Sequence, residues 1–163
     1  MNNGKTKLVI TVELEGLAES AQRVPGYEIV TAYDRPSALE KLKQADVLCV
    51  HRFDAELFRA APNVKWIHAM MGGVEKILFP ELIASDIPLT CVKECFSIPG
   101  AQHALASMLA VCSRLPDYWW QRNRKTHDWR LPHELTGKTL GIIGFGNIGK
   151  TLASFAKDRK SVV

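Results

Sequence analysis

Lys138-Thr139-Leu140-Gly141-Ile142-Ile143-Gly144-Phe145-Gly146-Asn147-Ile148-Gly149-Lys150 is the stretch whose reading decides the fold of this chain. The apolar run Leu140–Ile143 reads as a buried strand, and the glycines after it spell G-x-G-x-x-G. Gly144 permits the tight turn out of the strand, Gly146 lets backbone approach a pyrophosphate, and Gly149 lets the next helix pack close to its strand. That helix runs from Asn147 to about Ala156, with Ile148, Leu152 and Phe155 at helical spacing. Its free first-turn amides and its dipole favour an anion. Gly144, Phe145, Gly146, Asn147, Ile148 and Gly149 are therefore the candidate cofactor-binding residues. The competing reading is a glycine-rich turn without a ligand.

The same fingerprint calls for a second strand and an acidic residue about 20 residues further on, to hold a ribose hydroxyl. The chain reaches Val163 before such a strand can form, so the expectation is a nucleotide fold begun but not completed. Its last six residues, Asp158-Arg159-Lys160-Ser161-Val162-Val163, are mostly polar and lack the expected glycine turn. They are expected to be non-native, because the start of a common sequencing adapter encodes the same six residues and then a stop. A degenerated gene is the alternative.

Hydrophobic residues make up 47% of the 163-residue chain and charged ones 23%, which fits an ordinary globular protein with a substantial core. No apolar run approaches the roughly 20 residues of a membrane helix, and the N-terminus has no secretory pattern. The expectation is a cytoplasmic protein with no membrane partner. Cys49, Cys91, Cys95 and Cys112 form no C-x-x-C pair and no metal spacing, and Cys49 and Cys112 are expected to be buried. The net charge of +4 is modest, and the cluster Arg122, Arg124, Lys125 and Arg130 reads as a solvated face, not a nucleic-acid site.

Strand and helix candidates alternate through the first half. Strands are expected at 7–12, 27–32, 45–50, 64–68 and near 88–92. Helices are expected at 14–23, from Pro36, at 55–60 behind the cap Asp54, and from Val74. This alternation implies an open parallel sheet covered on both faces. Next come a helix over 98–114 with a broad apolar stripe, a break at Pro116, and a helix over 117–127. Tyr118, Trp119 and Trp120 are adjacent, so they cannot share one helix face, and at least one is expected to meet a partner or solvent.

The order of an α/β domain, W-I-H-A-M-M-G-G-V-E (Trp66–Glu75), A-Q-H (Ala101–His103) and E-L-T-G-K-T-L-G-I-I-G-F-G-N-I-G (Glu134–Gly149) resembles the D-isomer-specific 2-hydroxyacid dehydrogenases. The similarity spans about Lys7–Lys157 and is strongest over Leu135–Gly149. The resemblance implies a flavodoxin-like substrate domain over 1–97. Interdomain helices and a truncated Rossmann NAD-binding domain would occupy 98–163. It further implies NAD or NADP as cofactor, interconversion of a 2-keto acid and a D-2-hydroxy acid by hydride transfer, and a homodimer. The loop Met71-Gly72-Gly73 would offer backbone amides to the substrate carboxylate, a role for which glycines suit a nest of N–H groups.

Three departures from the family stand out. Met71 replaces its usual Ser or Asn, Glu75 its Asp, and Gln102 the Glu of its A-E-H. The family's catalytic Arg, Glu and His follow the glycine motif and are expected beyond Val163, so none is assigned here. His51 and His68 lie at strand ends, His103 is expected to be packed, and His127 and His133 sit in polar connectors. An alternative reading is a non-catalytic NAD-sensing interaction module that uses the basic, aromatic segment 118–130. Single-stranded nucleic acid is a weaker candidate for that segment.

Overall fold

The computed structural model describes residues 4–157. The expected non-native segment Asp158–Val163 lies outside them. The chain divides into two compact units, Met1–Lys93 and Glu94–Val163.

The first unit is built on five strands: β1 (Thr6–Ile10), β2 (Tyr27–Thr31), β3 (Val47–Val50), β4 (Trp66–Ala69) and β5 (Leu89–Cys91). All pairings are parallel, in the order β2-β1-β3-β4-β5. This is the order of flavodoxin-like sheets. One row of side chains, Val30, Val9, Leu48, Ile67 and Leu89, runs in register across all five strands. Val9, Leu48 and Ile67 are completely buried. Burying each such side chain is worth about 1.5–3 kcal/mol, so this row is the spine of the core.

Helices α2 (Arg35–Lys41), α3 (Ala55–Arg59) and α4 (Pro80–Ile83), with a 3₁₀ turn at Leu42–Gln44, contribute Ala38, Leu42, Leu57 and Leu82 to that core. Helix α1 (Leu17–Gln22) packs beside β2. Caps place the starts of α2 and α3. Asp34 accepts from the Ser37 amide at 2.8 Å, and Asp54 accepts from the amides of Glu56 and Leu57 at 3.1 Å each. Asp54 also pairs with Arg35 at 2.9 Å. The helix expected from Val74 does not form there. A single turn closes from Ile77 N–H to the Val74 carbonyl, Phe79 is extended ahead of Pro80, and α4 starts only at Pro80.

The second unit holds α5 (Ser97–Cys112), α6 (Leu115–Arg124) and α7 (Asn147–Lys157). Pro116 lies in the first turn of α6, after Arg114 in the left-handed region. The 126–133 segment is fastened to α6. Gln121 exchanges two hydrogen bonds with Asp128 backbone (2.9 and 2.6 Å), and Tyr118 donates to the Arg130 carbonyl at 2.9 Å. Trp119, Trp120 and Trp129 remain exposed.

Three expectations are corrected in this unit. Leu140–Ile143 belongs to no strand among the described residues, although Thr139 just before it makes a bridge, and Ile143 is fully exposed. An apolar run becomes a strand only where a neighbouring backbone bonds its amides along its length, so apolarity alone does not make one. His103 is exposed, its ring turned outward on α5, and Cys112 is half-buried.

The Asp54 cap gives a test. Arg35, with the capped amides, holds the Asp54 carboxyl below the usual carboxylate range. A depressed folded pKa stabilises above the unfolded pKa, about 3.9 for Asp, and that contribution fades as pH falls through the folded value. Asp54→Ala should cost about 1 kcal/mol in chemical denaturation at neutral pH. Asp54→Asn, which still caps, should cost much less but flatten the acid limb of the stability profile.

Candidate functional site

Because every strand of the sheet points the same way, its carboxyl ends deliver three loops to one edge. β1 leads into Thr11–Glu13, β3 into His51–Arg52, and β4 into Met70–Gly73. Backbone bonds tie them side by side: Thr11 N–H to the Cys49 carbonyl at 2.9 Å, and Met70 N–H to the Val50 carbonyl at 2.7 Å. In a sheet of this order, β1 and β3 are the topological switch point, where such folds hold their ligands. An open cleft of about 670 Å³ lies there, lined by Glu13, Tyr33, Arg35, His51 and Arg52 among others.

The loop Met71-Gly72-Gly73 is pinned at one end and bare at the other. The Val92 amide donates to the Met71 carbonyl at 3.2 Å, and the Met71 side chain packs against the core. Gly72 and Gly73 are exposed, and their N–H groups donate to no protein acceptor among the described residues. The Glu75 carboxylate overhangs Gly73, and a Cβ there would collide with its Oε2.

Sequence reasoning passed over Arg52. It is exposed at the end of β3 with no hydrogen-bonding or ionic partner among the described residues, unlike Arg35, which is held by Asp54 and Glu56. Phe53, buried beside it, packs its ring at 6.2 Å from Phe58 and 6.0 Å from Phe79, which anchors the loop that presents Arg52. The signal was in the sequence as a charged residue next to an aromatic anchor, but the neighbouring strand end that makes it a site residue is a tertiary fact.

In the second unit, Gly144 has φ +91°, a conformation that favours glycine. Gly149 is buried, and a Cβ on it would run into the Gly144 carbonyl oxygen and lie 3.3 Å from the Ile142 side chain. Gly146 faces open space, with nothing within 4 Å of the place a Cβ would take. The first intrahelical bond runs from Lys150 N–H to the Gly146 carbonyl at 2.9 Å, leaving the amides of Asn147, Ile148 and Gly149 without helical acceptors. Gly144 to Gly149 thus form a tight turn, an open approach and an unsatisfied helix start, all in sequence order. These features fit a diphosphate. The Ser97 hydroxyl, buried without a partner at the start of α5, is a further polar group that sequence reasoning missed. Three residues along α5, Gly100 lets the helix approach Ile148 of α7, at 3.3 Å from the would-be Cβ.

An open parallel α/β unit and a glycine turn at a helix start are the parts from which nucleotide-binding α/β proteins are built. Comparison with known proteins narrows this. The profile described as "D-isomer specific 2-hydroxyacid dehydrogenase, NAD binding domain" matches residues 105–162. Glyoxylate reductase of Pyrococcus furiosus is 32% identical over 135 residues, 76% of this chain and 40% of its own length. D-3-phosphoglycerate dehydrogenase of Methanocaldococcus jannaschii is 29% identical over 159 residues, 93% of this chain and 30% of its own. Among solved structures, a D-isomer specific 2-hydroxyacid dehydrogenase family protein from Aeromonas salmonicida superposes with TM-score 0.80 at 22% identity. It covers 96% of this chain and 52% of that one. NAD⁺-bound 3-phosphoglycerate dehydrogenase of Entamoeba histolytica gives TM-score 0.74 at 21% identity, over 97% and 52% of the two chains. By these similarities the chain is placed with the D-isomer-specific 2-hydroxyacid dehydrogenases, and its residues 105–162 match the profile of that family's NAD-binding domain. It spans 40% or less of the length of these curated relatives.

The glycines separate packing from ligand binding. Gly149→Ala should destabilise the second unit by about 1–3 kcal/mol, seen as an earlier loss of helical circular dichroism on heating. Gly146→Ala should leave that transition where it is. Equal stability of the two variants would refute the packing role of Gly149.

Proposed function

We propose that this chain is the amino-terminal part of an NAD- or NADP-dependent oxidoreductase that interconverts a 2-keto acid and a D-2-hydroxy acid. The single observation that carries the reading is the pair of bare amides at Gly72 and Gly73, at the carboxyl edge of a switch-point sheet, in a family built around NAD. In this reading residues 1–97 hold the substrate and residues from 98 onward the nucleotide. Met71, Gly72 and Gly73 receive the substrate carboxylate, and Arg52 supplies a cation on the same edge. Gly144, Phe145, Gly146, Asn147, Ile148 and Gly149 cradle the diphosphate. When bound, the cofactor supplies or accepts the hydride at the substrate C2.

The catalytic Arg, Glu and His lie beyond Val163 in this proposal, so the 163-residue chain is inactive by itself. The test compares it with the product of a longer coding sequence in NADH- and NADPH-dependent reduction of glyoxylate and other 2-keto acids. The short chain should show no turnover. The longer one should turn over, and its Gly146→Ala variant should lose cofactor affinity at least tenfold. A folded longer product that reduces no 2-keto acid would sink the proposal.

The exposed Trp119, Trp120 and Trp129 on a segment fastened by Gln121 and Tyr118 support a homodimer contact in the longer protein. They equally support the second reading, a non-catalytic NAD-sensing interaction module. Trp119→Glu with Trp120→Glu should convert a dimer to a monomer in light scattering. A longer protein that stays monomeric, lacks turnover and captures another protein through this segment would favour the module.

A further inference from the structure

The opposite edge of the same sheet has a chemistry of its own. The amino ends of β1, β3 and β4 surround an open cleft of about 580 Å³, lined by Lys5, Lys7, Lys43 and Lys65. Asp46 is the one acidic side chain lining it, so four lysines stand against one carboxylate. Asp46 is fully engaged. Its Oδ2 accepts from the Lys7 amide at 3.0 Å and its Oδ1 from Lys65 Nζ at 2.9 Å. Lys7 Nζ donates to Gln44 Oε1 at 2.8 Å and lies 3.5 Å from Glu28. The ammonium groups of Lys5 and Lys43 have no hydrogen-bonding or ionic partner among the described residues.

We propose that this cleft is an anion-binding site for a compact polyanion, of the oligophosphate or polycarboxylate type, independent of the keto-acid site. Three features set the class of ligand. A surplus of ammonium groups in a concave site raises the local concentration of anions. Lysines act as mobile point charges, with no fixed fork, which suits several spread negative groups better than one planar carboxylate. No aromatic side chain lines the cleft, so there is no platform for a base or ring. The site rests on the first unit alone and does not depend on the dehydrogenase reading.

The experiment titrates the 163-residue chain with inorganic triphosphate and, separately, with citrate by isothermal calorimetry at low salt. The same titrations are run on Lys5→Ala/Lys43→Ala and on Arg122→Gln/Arg124→Gln/Lys125→Gln. Saturable binding of one or both probes is expected, weakened at least tenfold in the first variant and unchanged in the second, and falling with added salt. The preferred probe assigns the ligand to the phosphate or the carboxylate type. The Lys5 and Lys43 ammonium groups have no partner among the described residues, and the bond from Asn63 goes to the Lys43 backbone carbonyl, which alanine retains, so an unchanged melting transition should accompany the loss. No saturable binding of either probe, or equal affinity in the Lys5/Lys43 variant, overturns the site.

Discussion

The common direction of five strands is the constraint on which the first unit depends. Parallel neighbours cannot be joined by a tight turn, so each strand must cross over through a helix or loop before the next begins. The crossovers that return chain to the amino edge leave all the carboxyl ends on the other. Val9, Leu48 and Ile67, completely buried in one register row, hold the strands in that relation. The bare glycines after β4 and the free Arg52 after β3 are consequences of this row. A slip of one residue in β3 or β4 would turn the core side chains outward and carry both loops with them.

The second unit depends on a much smaller contact, between the Gly149 Cα and the Gly144 carbonyl. Both ends of the turn have to be glycine for different reasons: one for its positive φ, the other for the room it leaves. The segment before the turn is not held in the same way. Leu140 is half-buried near Leu105 and Met108 of α5, yet Ile143 has no cover, and Leu140–Ile143 joins no ladder among the described residues.

This difference explains what could be read from the sequence. Asp54 and Pro36 were legible because a cap or a proline acts within one turn of where it sits. The β-branched runs around Val9, Val47 and Ile67 were legible as strands because five such runs alternated with helical stretches, and Gly144–Gly149 was legible as a tight turn into a helix. Val74–Phe79 misled because its apolar spacing is helical, while Pro80 forces Phe79 into an extended conformation. Leu140–Ile143 misled for the opposite reason, since how far a strand extends depends on the partner backbone beside it, which no local pattern reveals. Arg52, and the Ser97 hydroxyl buried at the head of α5, could not be ranked at all. Their significance depends on which groups fail to reach them in three dimensions.

The two edges of the sheet also show why charge counting over a whole chain says little about binding. The +4 of the sequence is modest, yet the amino edge alone gathers four lysines around one carboxylate. On the carboxyl edge, Arg35 is consumed by Asp54 and Glu56, while Arg52 has no partner among the described residues. What matters at either edge is the cations left over after local pairing, not their number. At the amino edge the leftovers surround a cleft with no amides bared toward it by glycines. At the carboxyl edge a single guanidinium accompanies two bare amides. The first arrangement suits a diffuse, multiply charged anion. The second presents directed N–H groups whose positions the backbone has already set.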